Sequence, residues 1–189
     1  MSEQTQRLAP VPPQAYDAAQ RQAAEEFLRA RETPVFGPFE VMIRSPELMT
    51  AARAMGDYLR YKPSIGTRLS ELVILMVARQ WSQDFEWYTH APAAARQGIS
   101  AETIEAIFEG RRPTAMSEDE TIVYDLVDEL DRHRRVSDAS YGRAVGRFGE
   151  QGVVDLAGLV GYYSLLAVTM NTARLGVPAD ARRLPRFPD

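Results

Sequence analysis

The chain has 189 residues, 45% of them hydrophobic and 25% charged, with a formal net charge of −4. That is enough apolar sequence for one domain of ordinary size, and the acidic balance offers no electropositive field for nucleic acid. The sequence contains no cysteine, which excludes disulfides, thiolate metal centres, iron–sulfur clusters and any dithiol redox cycle.

Residues 1–13 are polar and lack the apolar run of a secretory signal, so they are expected to form a mobile tail on a cytoplasmic protein. From Pro13 to about Arg31, Ala, Gln, Glu, Arg and Leu dominate and predict a peripheral helix anchored by Phe27 and Leu28. The stretch Thr33-Pro34-Val35-Phe36-Gly37-Pro38-Phe39 is rich in breakers yet carries large apolar side chains. A loop of that kind is expected to cover a groove or a neighbouring subunit. Pro46 opens a helix to about Arg60 whose inner stripe reads Leu48, Ala52, Met55 and Leu59.

Lys62-Pro63-Ser64-Ile65-Gly66 interrupts, and Thr67 is placed to cap a helix from Arg68 to Gln80. Its apolar residues occupy nearly the whole circumference, which puts it at the centre of the fold. A helix from about Asp84 to Gln97 follows, with Pro92 as a kink or break and Gly98 at its C′ position. Ser100 caps a short helix to Phe108; Ser117 and Glu120 form a capping box for a helix to about His133; Ser137 caps one that ends before Gly149. The last helix, about Gly152 to Arg174, contains Asp155 and two tyrosines and reads as a core helix rather than a membrane span.

No segment alternates as a strand does. The fold class is therefore all-alpha, with seven or eight helices in a single domain over residues 14–176, followed by a solvated tail over 177–189 that carries Arg182, Arg183 and Arg186.

Glu71, Gln83, Glu86 and His90 form the chemically suggestive set. A carboxylate on the apolar central helix is costly unless paired, and burial drives its proton affinity upward. Glu86 and His90 are four apart and share one helix face, where the carboxylate can orient the imidazole and leave one ring nitrogen as acid or base. Trp81, Phe85, Trp87 and Tyr88 surround them, as the wall of a pocket or interface would. Gln83 falls on the same face as a possible hydrogen-bond donor to substrate, and Tyr162, Tyr163 and Asn171 are polar groups on an otherwise apolar helix. Glu71, Glu86 and His90 are enough ligands for a catalytic zinc, but the spacing is not a zinc motif, so no metal is expected. His133 lies in a charged helix terminus, where a histidine is favourable without any chemistry.

The run Arg68-Leu69-Ser70-Glu71-Leu72-Val73-Ile74-Leu75, then Trp81, Glu86-Trp87, His90 and Ala95-Arg96-Gln97-Gly98-Ile99-Ser100, resembles the carboxymuconolactone decarboxylase family, which includes the AhpD-like alkylhydroperoxidases. The likeness spans about residues 35–172. It implies an all-helical fold that self-associates as a trimer, hexamer or dimer, with sites near subunit contacts. In the redox branch two cysteines stand where this chain has Gln83 and Glu86, so the resemblance does not extend to thiol-based peroxide reduction. The non-redox branch implies a cofactor-free lyase or isomerase for a small unsaturated lactone or oxo-acid. On that reading His90 is the acid/base, Glu86 its orienter or partner base and Glu71 a shuttling carboxylate. Gln83, Trp81, Trp87, Tyr162 and an arginine such as Arg79 or Arg44 bind substrate, with neither nucleic acid nor membrane as partner.

Overall fold

A computed structural model describes residues 6–186. Among these residues the fold is built of helices alone: α1 Ala18–Arg31, α2 Pro38–Met42, α3 Pro46–Tyr61, α4 Thr67–Gln80, α5 Asp84–Arg96, α6 Ala101–Phe108, α7 Glu118–His133 and α8 Asp138–Ala173, after a 3-10 turn at Pro13–Ala15. Helix α4 is the axle. Leu72, Val73, Ile74, Leu75, Val77 and Ala78 are fully buried, and α5, α7 and α8 pack around it. Burial on every side is what its unbroken apolar sequence requires.

Most helix starts follow their capping residues. Ser100, Ser117 and Ser137 each accept a bond from the third backbone amide of their helix, and Ser117 with Glu120 completes a capping box. Helix α1 has a box of the same kind, Asp17 with Gln20, and so begins later than helix-forming composition alone suggests. Thr67 is not a cap: Gly66, at φ 81, holds that position and Thr67 is the first helical residue. Helix α5 runs continuously through Pro92 and ends as expected, with Gly98 at φ 92 and Ile99 N–H bonded to Ala94 C=O at 3.0 Å. Gly149, at φ 70, divides α8 into the two predicted segments.

Three surface expectations change. The inner stripe of α3 is Met49, Ala52, Gly56 and Leu59, while Leu48 and Met55 are 44% and 43% exposed. The helix is turned about one residue from its predicted face because Gly56 receives Tyr162: a Cβ there would lie 2.1 Å from the Tyr162 hydroxyl. Leu28 is likewise exposed, whereas Phe27 is buried. Both termini are docked where described. Arg7 N–H bonds Ala173 C=O at 2.8 Å, and Arg182 pairs with Glu105 while lying 3.5 Å from the Phe108 ring centroid. Leu184 is buried, and Arg186 pairs with Asp84 at 2.6 Å. The expected tails at residues 1–5 and 187–189 lie outside the described residues.

Helix α8 is long and apolar enough to cross a membrane by length and composition, and 44% of its most apolar window is buried against the other helices. Asp155 on this helix accepts bonds from Tyr58 Oη at 3.0 Å, Ser64 N–H at 2.8 Å and Ser64 Oγ at 2.6 Å. That carboxylate ties the α3–α4 turn to α8, and so sets where the end of α3 and the start of α4 meet the core.

Candidate active site

A short turn positions the site. At the end of α4, Ser82 adopts φ 46, Ser82 N–H bonds Arg79 C=O, and Gln83 N–H bonds Ala78 C=O at 2.8 Å. This is the Schellman closure, with serine in the place glycine usually takes. It folds α5 back along α4. Gln83 then caps α5, its Oε1 accepting from Phe85 and Glu86 N–H, and its Nε2 donating to Asn171 Oδ1 at 3.0 Å. Gln83 therefore locks the helix start, and it does not line the cavity that holds His90 and Glu86. Asn171 is occupied in the same junction, donating to Trp81 C=O at 2.9 Å.

The fold brings Glu71 of α4 to His90 of α5. Glu71 Oε2 lies 2.7 Å from His90 Nδ1, and both side chains are buried. With a carboxylate as its partner, Nδ1 is the protonated nitrogen and Nε2 keeps its lone pair. The orienting partner is thus Glu71, and the expectation that Glu86 holds the imidazole is corrected. Burial pushes the proton affinity of His90 below its ordinary value of 6.5; Glu71 opposes that shift and Arg60 adds to it. A neutral ring, able to act as a base, follows.

Among the described residues Glu86 has no hydrogen-bond partner for either carboxyl oxygen, and it is 3% exposed. Its burial lifts the carboxyl well above the usual carboxylate range, so it holds a proton where ordinary glutamates have lost theirs. Helix α8 contributes Tyr163, edge-on to His90 with ring centroids 5.4 Å apart, and Tyr162, whose phenol is pushed up to about 12 by burial.

These groups wall a cavity of about 40 Å³ together with Arg31, Arg60, Thr89, Leu166 and an aromatic roof. The roof comes from the expected stretch: Phe36 from the α1–α2 connection, Pro38 and Phe39 from the first turn of α2, with Phe85 from α5. Phe27 braces it, 4.9 Å from Phe39 and 5.9 Å from Phe36. Gly37, at φ 58, passes so close to Phe85 that a Cβ would sit 2.6 Å from the ring. The space takes only a few water-sized groups.

Of the residues singled out by sequence, Glu71, Glu86, His90, Tyr162 and Tyr163 meet here. Others do not. Trp81 is partly exposed and donates from Nε1 to Ser164 Oγ at 3.1 Å. Trp87 packs in the core against Phe108, with ring centroids 5.4 Å apart. Arg79 donates to Ser82 Oγ and lines a separate, open cavity of about 400 Å³ with Met76, Tyr124, Asp128 and Arg132. Arg44 donates to the Glu40 and Ala9 carbonyls. The arginines at the site are Arg31 and Arg60, which sequence reasoning passed over. Phe85, named from sequence as part of a pocket wall, does line the cavity; Thr89 could have been found from helical spacing around Glu86 and His90, whereas Arg31 and Arg60 reach the site only through tertiary packing. Among the described residues, no group of three or more His, Asp or Glu side chains is gathered closely enough to hold a metal ion.

The all-helical fold of this cysteine-free chain has AhpD-like architecture. Residues 46–129 match the carboxymuconolactone decarboxylase family. One similar structure is a protein of unknown function from Agrobacterium tumefaciens, provisionally named an antioxidant defence protein AhpD. It has 17% identity and a TM-score of 0.66, over 77% of this chain and 100% of that one. Another is an uncharacterized peroxidase-related protein from Silicibacter sp. TM1040, with 11% identity and a TM-score of 0.68, over 96% of this chain and 97% of that one. At such identities the likeness is one of fold. No curated protein sequence matches the chain. The match over residues 46–129 is compatible with lyase or decarboxylase-type chemistry in general, on a small-molecule substrate.

Proposed function

We propose that the protein is a cofactor-independent lyase or isomerase acting on a small unsaturated lactone or oxo-acid by proton transfer between His90, Glu86 and the substrate. The observation that carries this reading is the pairing of opposite proton habits in one cavity. His90 is neutral and oriented by Glu71 at 2.7 Å, while Glu86 is a buried carboxyl with no partner among the described residues and a raised proton affinity. Two titratable groups driven apart by their surroundings are the arrangement that acid and base assignments require.

For decarboxylation, the bond from carbon to the substrate carboxylate breaks and its electron pair passes into the conjugated carbonyl, giving a dienolate and carbon dioxide. The proton of Glu86 then adds to carbon, and Glu86 recovers one from solvent. For isomerisation, His90 Nε2 removes a proton from carbon and Glu86 returns one at the other end of the conjugated system. Both routes use the substrate as its own electron sink, so positioned acid and charge stabilisation suffice. Neither requires a thiol, which this chain lacks, so the peroxidase wording attached to the Silicibacter relative does not transfer. The same reading takes the protein as cytoplasmic and self-associating; the apolar side chains exposed on α3 and α8 support the second of these.

The test is a panel of small unsaturated lactones and oxo-acids, followed by carbon dioxide release and double-bond absorbance, beside a His90→Ala variant. Turnover is expected to fall by about 100-fold or more in the variant. Unchanged turnover would remove His90 from the chemistry. Saturable binding across the panel without reaction in the wild type would favour a small-ligand-binding protein, a reading to which the small closed cavity also lends itself.

A further inference from the structure

Two cations border the cavity, and they differ in how firmly they are held. Arg31 Nε donates to Asp57 Oδ1 at 2.9 Å, and its guanidinium lies 5.3 Å from the Phe27 ring centroid and 4.8 Å from that of Phe39. It is part of the brace beneath the aromatic roof. Arg60 stands differently. Its ionic contact is Nε to Glu71 Oε1 at 3.8 Å, too long for a hydrogen bond, and its guanidinium lies 5.3 Å from the Tyr61 ring centroid. A planar guanidinium is suited to two parallel bonds with a carboxylate, and among the described residues a single long ionic contact leaves that capacity unused.

We propose that Arg60 is the anion receptor of the pocket: it exchanges its long contact with Glu71 for the carboxylate of a small unsaturated acid, and so determines that the site takes anionic substrates. This rests on the assignment of the His90 cavity as the reacting site. It also gives Arg60 a second effect. The charged and titratable groups around the cavity are Glu71 from α4, Arg60 from α3, Arg31 from α1, Glu86 on α5 itself, and Tyr162 and Tyr163 from α8. Of the two cations, Arg60 is the one whose charge acts on His90, and it disfavours the imidazolium. A carboxylate bound to Arg60 cancels that charge and leaves Glu71 wholly to His90. Anion binding thereby raises the proton affinity of the histidine as the substrate arrives.

The measurement is a titration of His90 by nuclear magnetic resonance, assigned against a His133→Gln variant because the chain has only two histidines. The probes are crotonate and its uncharged methyl ester. Crotonate is expected to bind the wild type saturably and move the His90 midpoint upward, while the ester leaves it in place. Arg60→Met weakens crotonate binding by about tenfold or more, the weight of a charge-assisted hydrogen bond, and Arg60→Lys, which keeps the charge without the fork, falls between. Wild type that binds acid and ester alike, or binds neither, overturns the proposal. So does crotonate affinity unaltered in folded Arg60→Met and Arg60→Lys. Failure of the proton-transfer reading shows elsewhere, as turnover indifferent to His90→Ala while crotonate still binds through Arg60.

Discussion

Glu86 carries an uncommon burden for a single side chain. A buried polar group with no hydrogen bond costs the fold about 1–3 kcal/mol, and here both oxygens are in that position. The sign of its pH dependence follows. A carboxyl whose folded-state proton affinity is raised contributes its stability in full below the ordinary value of 4.5, and that contribution is lost as pH rises toward the folded value. His90 runs the other way: its affinity is lowered from 6.5, so folding loses stability as pH falls below 6.5. In the wild type the two trends oppose each other. Comparison with Glu86→Gln separates them, because the histidine is common to both. The variant is expected to gain on the wild type in melting temperature as pH rises from about 4.5 to about 8, read by circular dichroism. A gap that stays constant over that span would mean that Glu86 is ionised in the folded protein.

At the scale of elements, the site depends on how α5 begins. Its first turn is held by Gln83 as cap, by Asn171 reaching from α8, and by the C-terminal strap, where Leu184 N–H and Arg186 both bond Asp84. The strap was expected to be solvated because arginines beside prolines carry no pattern that reveals a docking face. Its actual partners are Glu105, Phe108 and Asp84, more than 70 residues away along the chain for the first two and about 100 for the third. Most of its stabilising effect comes from Leu184, since exposed ion pairs add little. Truncation after Gly176 is expected to cost about 2 kcal/mol, the burial of one leucine, and to lower the melting temperature by several degrees. An unaltered melting temperature would show that the strap rests on the surface without holding it.

The same contrast explains what sequence could and could not disclose about the fold and the site. Caps and periods are local, so Ser100, Ser117, Ser137 and Gly98 announced their helix ends, and the apolar circumference of α4 announced its central place. Glu86 and His90 were joined on local grounds as well, one turn apart. The structure instead joins His90 to Glu71, 19 residues earlier, because the Ser82 closure lays α5 along α4. Which partner wins depends on the direction of that turn, and a serine with φ 46 gives less warning than glycine would. The face of α3 was misjudged for a similar reason: the notch at Gly56 has meaning only once Tyr162 is known to fill it.

For the molecule as a whole, the exposed side chains on α8 suggest company. Val154 is 69% exposed, and Leu165 and Val168 lie further along the same helix at 37% and 42%. Exposed apolar groups aligned on one element mark an interaction surface more often than chance does. Self-association in detergent-free buffer is the expected outcome, and Val154→Glu is expected to shift sedimentation toward the monomer. A wild type that sediments as a monomer at all concentrations would remove this expectation.

The unpartnered carboxyl has one more consequence, for anyone who would engineer the protein. Selection for survival at high temperature, with no demand for activity, would collect replacements of Glu86 by Met or Leu, which fill similar space without burying an orphaned polar group. On the proposed mechanism, the first hits of such a search would thus be the variants least able to pass a proton. Heat resistance and chemistry compete at residue 86, and a useful stabilising programme would begin by holding that position fixed.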